Sequence, residues 1–449
     1  MDQQSIITVN ASRCGGGKTT QDIIPRIIRL LQRGERVLVA VPSQELASNY
    51  QLAIENSVMI ISDHGPVDSR LQDALKHREN CIIITHAAFL HHIWSRLDRS
   101  DYHLILDEAF DPFKILQYKV DKVAEIATAF ELVPEIVNGN WWMVTSPPWR
   151  DHVAFRESST YRDLTCPNWW AWQSREDNES LHKGNLAEFG LELRREYVFD
   201  NWITIHIAAA KFEDTFLAHW MKKEHLVWRE TESFKPHDNA DIVWHTFDFK
   251  WSRNKRQNNP DLHTQYCDYV DNHSADPIIA VRNSDMSHAL NNERKVSHNC
   301  HGLNQYRDIT RISIESSLNF RPEQQTWIQD LLEMDKDQIK RARTTYTLYQ
   351  VIMRSAIRRQ EEIVEPIHVY SCDETVTEQL WDYFDPKRAN VEVIPTDYKA
   401  KAKAFTDAER MRISRFRRSH PEQAHLTPYE ILALPTTIGG RPPLTKKDD

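Results

Sequence analysis

Glycine is scarce in this chain and is concentrated at one turn. Only 11 of the 449 residues are glycine, and three of them are consecutive, Gly15-Gly16-Gly17. Average usage is about 7%. Glycine serves where backbone must take dihedrals closed to other residues, or must approach a partner closely. The triplet lies between an apolar strand pattern, Ser5-Ile6-Ile7-Thr8-Val9, and a helical pattern from Lys18 to Arg33. Pro25 stands inside that helical pattern and is expected to kink it. Strand, glycine turn and helix in this order point to an α/β fold in which a helix N-terminus and the preceding backbone N–H groups cradle an anion.

The residues of the turn make the anion specific. Ser12-Arg13-Cys14-Gly15-Gly16-Gly17-Lys18-Thr19 fits the P-loop pattern G-x-x-x-x-G-K-[ST] except at its first position, where Ser12 stands for glycine. The pattern places Arg13, Cys14, Gly15, Gly16, Gly17, Lys18, Thr19 and Thr20 around a nucleoside triphosphate, taken as ATP. Lys18 is expected to reach the β and γ phosphates and the Thr19 hydroxyl to ligate Mg²⁺. A second acidic site belongs at the carboxyl end of a neighbouring strand, and Leu104-Ile105-Leu106-Asp107-Glu108 supplies it. Asp107 would hold Mg²⁺ through water, and Glu108 would position and polarise the attacking water.

Further apolar runs follow at Arg36–Val41, Val58–Ile61, Cys81–Ile84 and Tyr102–Leu106, with a helix expected from Ser43, as N-cap, to Glu55. Continuous apolar strands alternating with helices argue for a parallel sheet covered on both faces. The rhythm is lost over about residues 111–200, where Trp141, Trp142, Trp149, Trp169, Trp170 and Trp172 crowd together. This stretch reads as an inserted subdomain. Its aromatics either form a small core or stack on unpaired bases. Strand patterns return at Ile203–Ile207, Ile242–Phe247, Pro277–Val281, Ile309–Ile314 and Ile367–Tyr370. A charged tail follows, with Lys399, Lys401, Lys403, Arg410, Arg412, Arg415, Arg417 and Arg418 either tracking phosphates or simply solvated.

The acidic motif Asp107-Glu108-Ala109-Phe110 resembles the D-E-x-D/H box of the superfamily 2 helicases, with Phe110 replacing the usual Asp or His. The resemblance extends along most of the chain in order. Val41-Pro42-Ser43-Gln44 and Thr85-His86 resemble two family stretches that touch the nucleic-acid backbone. Ala208-Ala209-Ala210 stands where the family has a Ser-Ala-Thr triplet coupling hydrolysis to lobe movement, and lacks both hydroxyls. Gly302-Leu303-Asn304, followed by Asp308, resembles the second-lobe motif that meets nucleotide and strand. Gln350, Arg354 and Arg358 resemble the family's Q-x-x-x-R-x-x-R arginine finger, with the second Arg one residue late and Arg359 adjacent. In a helix, these three would share one face over about 12 Å and form a fork for phosphate oxygens.

The resemblance implies two tandem RecA-like P-loop lobes with parallel sheets. Lobe 1 would span residues 1–230 with its insertion, lobe 2 residues 231–395, and a basic extension 396–449. It implies an ATP- and Mg²⁺-dependent helicase or translocase. Lys18, Asp107, Glu108, Gln350, Arg354 and Arg358 would be catalytic. Pro42, Ser43, Gln44, Thr85, His86, Gly302 and Asn304 would lie on nucleic acid. DNA, single-stranded or at a duplex junction, is expected ahead of RNA, in replication, recombination or repair and beside other proteins of those processes. The Phe of D-E-A-F and the divergent motifs look more like those of phage- or plasmid-encoded helicases than those of cellular RNA helicases.

Composition is ordinary for a soluble globular protein, with 40% hydrophobic and 27% charged residues. No apolar run approaches the about 20 residues needed to span a bilayer, and the start, Met1-Asp2-Gln3-Gln4, lacks a signal-peptide layout. A cytoplasmic site is therefore expected, in the host cytoplasm if phage-encoded. The net charge of −9 does not exclude a local basic groove, for which Trp251–Arg256 and Lys340–Arg343 are candidates. Six scattered cysteines without a C-x-x-C pair are expected to be reduced, mostly buried thiols. Two other readings are an ATPase that remodels a partner other than nucleic acid, and a nucleic-acid-binding module without turnover.

Overall fold

The apolar runs of the first part become β1 (Ile6–Asn10), β2 (Arg36–Val41), β3 (Val58–Ile60), β4 (Cys81–Thr85) and β5 (Tyr102–Asp107). The computed structural model describes residues 5–91, 94, 98–119, 131–137, 141–145, 163–174, 186–247, 251–252, 259, 261–274, 276–283, 286, 289–298, 305–316, 318–359 and 361–394. The strand side chains Val37 to Val41 and Ile82 to Ile84 are wholly buried. A strand covered on both faces needs apolar residues at every position, which is why these runs do not alternate. The helix Gln44–Ala53 begins where Ser43 accepts a hydrogen bond from the Leu46 N–H at 3.2 Å. The irregularity expected at Pro25 takes the form of a widened turn. Residues Lys18–Ile23 are π-helical, the Ile24 N–H bonds to the Thr19 carbonyl, and an α-helix runs on over Ile24–Gln32.

Between β5 and the next strand of this sheet the chain makes a separate antiparallel sheet. Its strands are β6 (Phe113–Lys119), β7 (Glu131–Val137), β8 (Trp141–Thr145), β9 (Trp169–Ser174) and β10 (Leu186–Leu193), in the order β6-β10-β9-β8-β7. Then β11 (Thr204–Ala208) and β12 (Trp228–Glu232) complete a seven-stranded parallel sheet, β12-β1-β11-β5-β2-β4-β3. Trp141, Trp169 and Trp172 are buried. Half-buried Trp170 carries the Arg194 guanidinium 3.8 Å over its ring. These tryptophans form a core rather than an open stacking platform. Trp149 and the Trp142 side chain lie outside the described residues.

The second parallel sheet contains β13 (Ile242–Phe247), β14 (Ile278–Arg282), β15 (Glu293–Lys295), β16 (Arg311–Glu315), β17 (Ile367–Ser371) and β18 (Ala389–Ile394), ordered β15-β14-β16-β17-β13-β18. The architecture is thus two RecA-like lobes with parallel sheets, as expected. One excursion from the second lobe crosses to the first. The helix Pro322–Leu332 brings Trp327, Ile328, Leu331 and Leu332 into the same apolar cluster as Phe113, Trp141, Phe189 and Phe216. Trp327 lies so close to Gly190 that a methyl group there would run into its ring.

The helix expected through Gln350, Arg354 and Arg358 is corrected. It runs over Tyr346–Ile352 and stops, and a short 3₁₀ turn follows at Ala356–Arg358. The Ser355 hydroxyl takes the Ile352 carbonyl at 2.6 Å, and the Ala356 N–H goes to the Ile309 carbonyl at 2.9 Å. Both groups are thereby diverted from continuing the helix.

The basic extension and Gly302, Leu303, Asn304, Arg253, Asn254, Lys255 and Arg256 lie outside the described residues. Cys14, Cys81, Cys166, Cys267 and Cys372 are buried, and Cys300 is outside the described residues. Among the described residues no helix is long and apolar enough to cross a membrane.

Candidate active site

The glycine turn leaves the carboxyl end of β1. Asn10, the last residue of that strand, accepts the Ser12 N–H at 3.1 Å and the Ser12 hydroxyl at 2.6 Å on one oxygen. Ser12 therefore anchors the loop to the strand, which explains how the turn dispenses with its first glycine. The Asn10 amide donates to Asp22 at 2.7 Å, and His206 meets the same carboxylate at 3.0 Å. Burial works to raise the Asp22 carboxyl, but the bonds from His206 and Asn10 outweigh it and hold it well below the usual carboxylate range. This network fastens the loop and the following turn to β1 and β11.

Two glycines are required by backbone. Gly15 and Gly17 have φ of +76° and +80°, a region disfavoured for other residues. A methyl group on Gly15 would also stand 2.8 Å from the Arg358 carbonyl oxygen, so the turn touches lobe 2 through its smallest residue. The Lys18 ammonium is folded onto its own loop, 3.0 Å from the Ser12 carbonyl and 3.3 Å from that of Arg13. The Arg13 guanidinium instead reaches Asp238 at 2.7 Å and the Pro236 carbonyl at 3.0 Å. Thr20 lines the cleft, its hydroxyl 3.4 Å from the Gly17 carbonyl.

Asp107 ends β5, and its carboxylate accepts the Tyr50 hydroxyl at 2.7 Å and the Thr19 hydroxyl at 3.2 Å. Burial first, and then the Glu108 charge, push the Asp107 carboxyl up to about 6. Glu108 follows in the left-handed region, φ 72°, with its N–H tied to the Ala208 carbonyl at 2.9 Å. Its carboxylate accepts the Tyr346 hydroxyl at 3.1 Å and the Gln350 amide at 3.5 Å, both from lobe 2. Ala208, Ala209 and Ala210 are wholly buried, and Ala210 joins the lobe 2 apolar cluster.

Lobe 2 faces these groups with Gln350, Arg354 and Arg358, which line one cleft of about 1020 Å³ together with Cys14, Gly15, Gly17, Lys18, Thr19, Asp107 and Glu108. Lys18, Arg354 and Arg358 bring three cations to this cleft, and burial and then the Arg354 charge lower the Arg358 guanidinium. Such a convergence of cations is an anion site. Two adjacent carboxylates, one pushed up by burial and by its neighbour, fit a divalent cation in the same cleft. Arg359 also lines the cleft, where it pairs with Asp308.

The other expected contacts sit at the carboxyl ends of β2 and β4, interior strands of the sheet that carries Asp107. Ser43, after Pro42, is occupied as a helix cap, and Gln44 bonds to Ser62 at 2.9 Å. Thr85 accepts the Ala88 N–H at 3.2 Å. His86 is buried and lies edge-on to Phe110, ring centroids 5.6 Å apart. Phe110 thus sits in an aromatic core where the family motif carries a polar group. Sequence reasoning missed Tyr50, Tyr346 and Tyr349, whose hydroxyls serve Asp107, Glu108 and the Cys14 N–H. A tyrosine in an apolar helical pattern carries no signal that its hydroxyl leaves the core.

Residues 4–135 match the family model described as DEAD/DEAH box helicase. No curated protein matches this sequence. Among solved structures, S. tokodaii Xpd4 is similar at a TM-score of 0.51 and 11% identity, over 86% of this chain and 96% of that one. An apo XPD structure matches at a TM-score of 0.49 and 10% identity, over 87% and 97%. S. cerevisiae Dbp5 bound to RNA and ADP BeF3 matches at 0.38 and 10%, over 88% and 86%. The likeness to Xpd4 is one of fold. The P-loop and the acidic pair thus lie within residues 4–135, the stretch that matches the DEAD/DEAH box helicase model, in a chain folded as two RecA-like lobes.

Proposed function

We propose that this protein is a helicase that hydrolyses ATP in the cleft between its lobes and uses closure and release of that cleft to move along a nucleic-acid strand. The reading is carried by the meeting in one cleft of the glycine turn, Lys18, Asp107 and Glu108 with Gln350, Arg354 and Arg358. In this reading Lys18, Arg354 and Arg358 neutralise the phosphate oxygens, most strongly as charge develops on the transferred group. Glu108 orients the attacking water and accepts its proton. Thr19 and Asp107 would hold Mg²⁺, which supplies further neutralisation of the phosphates. Lys18 leaves the carbonyls of Ser12 and Arg13 when phosphate arrives. The strand ends carrying Pro42, Ser43, Gln44, Thr85 and His86 are the lobe 1 side of the strand path in this reading, and Gly302 and Asn304, which lie outside the described residues, are further proposed strand contacts. DNA is the first substrate to test and RNA the second.

Phosphate release with and without single-stranded oligo(dT) or oligo(U) tests this. We expect stimulation by one of the two strands, and a loss of about 100-fold or more in Lys18→Ala and Glu108→Gln. Stimulated turnover that survives in either variant would remove the site assignment. Turnover indifferent to both strands would turn the enzyme toward a different partner.

A further inference from the structure

The two neighbouring carboxylates of the active site are held from opposite lobes. Asp107 is fixed within lobe 1, by Tyr50 on the helix Gln44–Ala53 and by Thr19 of the glycine turn. Glu108 differs. Its backbone N–H is tied down to Ala208, but the three residues beneath it, Ala208, Ala209 and Ala210, offer only methyl groups. Among the described residues, its carboxylate accepts hydrogen bonds from Tyr346 at 3.1 Å and Gln350 at 3.5 Å. Those two residues are i and i+4 on the helix Tyr346–Ile352, and so share one face of it. Both reach the same oxygen, Oε2.

Resting on the reading of Glu108 as the residue that orients water, we infer that Tyr346 is a positioning residue through which lobe 2 switches Glu108 into its working orientation. The metal-side acid is preset by its own lobe. The water-side acid becomes aligned only when lobe 2 presents a phenol to it. Hydrolysis is thereby confined to the closed cleft. The contact supplies, from across the cleft, a hydroxyl that the alanine triplet does not provide from below. Burial, and then the Glu108 charge, push the Tyr346 phenol well above its ordinary range, so it remains protonated and acts on the carboxylate as a donor. Tyr346 takes no part in proton transfer. It fixes which oxygen of Glu108 remains available to water.

Tyr346→Phe removes the hydroxyl and keeps the ring, so the test is specific. In the full chain with ATP, Mg²⁺ and the stimulating oligonucleotide, kcat should fall by about tenfold, the scale of one hydrogen bond to a charged group. KM for ATP and the unfolding midpoint should stay at their wild-type values. In a Glu108→Gln background, single-turnover hydrolysis should be insensitive to the second change, because the charge that Tyr346 orients is gone. A wild-type kcat in Tyr346→Phe would overturn the inference, as would an equal fold-loss in both backgrounds or a KM that rises with the fall in kcat. A wild-type protein without ATPase activity would instead remove the underlying reading of Glu108.

Discussion

Asp107 lies at a strand end under the glycine turn, with a tyrosine and a threonine hydroxyl pointing at one of its oxygens. Those bonds favour the ionised form, yet burial and the adjacent Glu108 outweigh them and bring the carboxyl to about 6 from an ordinary 3.8. The sign of the consequence follows from linkage. A carboxyl raised in the folded state contributes stability that is complete below its unfolded value and is lost as pH rises through the folded one. Without metal, the wild type should therefore weaken between pH 4 and pH 8, and Asp107→Asn should not share that loss. We expect urea unfolding in EDTA to find the variant more stable by about 1–3 kcal/mol at pH 8, with the gap closing toward pH 4. Added Mg²⁺ should stabilise the wild type and leave the variant unmoved. A gap that stays constant across this range would show that Asp107 is not the titrating group.

At the scale of elements, the glycine turn and the broken helix of lobe 2 are two faces of one contact. Gly15→Ala combines a methyl group in the left-handed region with a clash against the Arg358 carbonyl, so it should cost about 1–3 kcal/mol of stability and push the arginine segment away from the phosphates. Its ATPase kcat should fall more than that of Gly34→Ala, whose added methyl would meet no atom within 4 Å at a similarly positive φ of 76°. Equal effects of the two would locate the loss in backbone strain alone. Much of this arrangement was legible in the sequence. The strands of lobe 1 are continuous apolar runs because both of their faces are covered, and Ser43 caps its helix as its position suggests. The end of the helix at Ile352 was not legible. Residues 350–358 fit a helical pattern, but the decisive partners, Ile309 and Asn239, are remote in sequence. Ile309 takes the Ala356 N–H, and Asn239 donates to the Ile357 carbonyl at 3.3 Å and the Arg359 carbonyl at 2.6 Å. The antiparallel sheet of the insertion was hidden for a related reason. With Trp169, Ala171, Trp172 and Gln173 all buried, β9 has no polar face to mark its period.

On the scale of the whole molecule, lobe 1 and lobe 2 meet not only at the nucleotide cleft but also where Trp327 stands against Gly190. Trp327→Ala should destabilise by about 3–5 kcal/mol, as expected for truncating a buried tryptophan. Gly190→Ala should be damaging in the wild type, because its methyl has no room beside the ring, and much less so in Trp327→Ala. Chemical unfolding of the two single variants and the double variant measures that coupling. Additive losses would show that the two residues do not meet. The same contact bears on how the protein is made. Residues up to Gly190 leave the ribosome long before Trp327 is synthesised, so the nascent insertion waits with the tryptophan-lined side of its sheet open. Until the distant helix arrives, that greasy surface is what a chaperone, or a neighbouring nascent chain, would find.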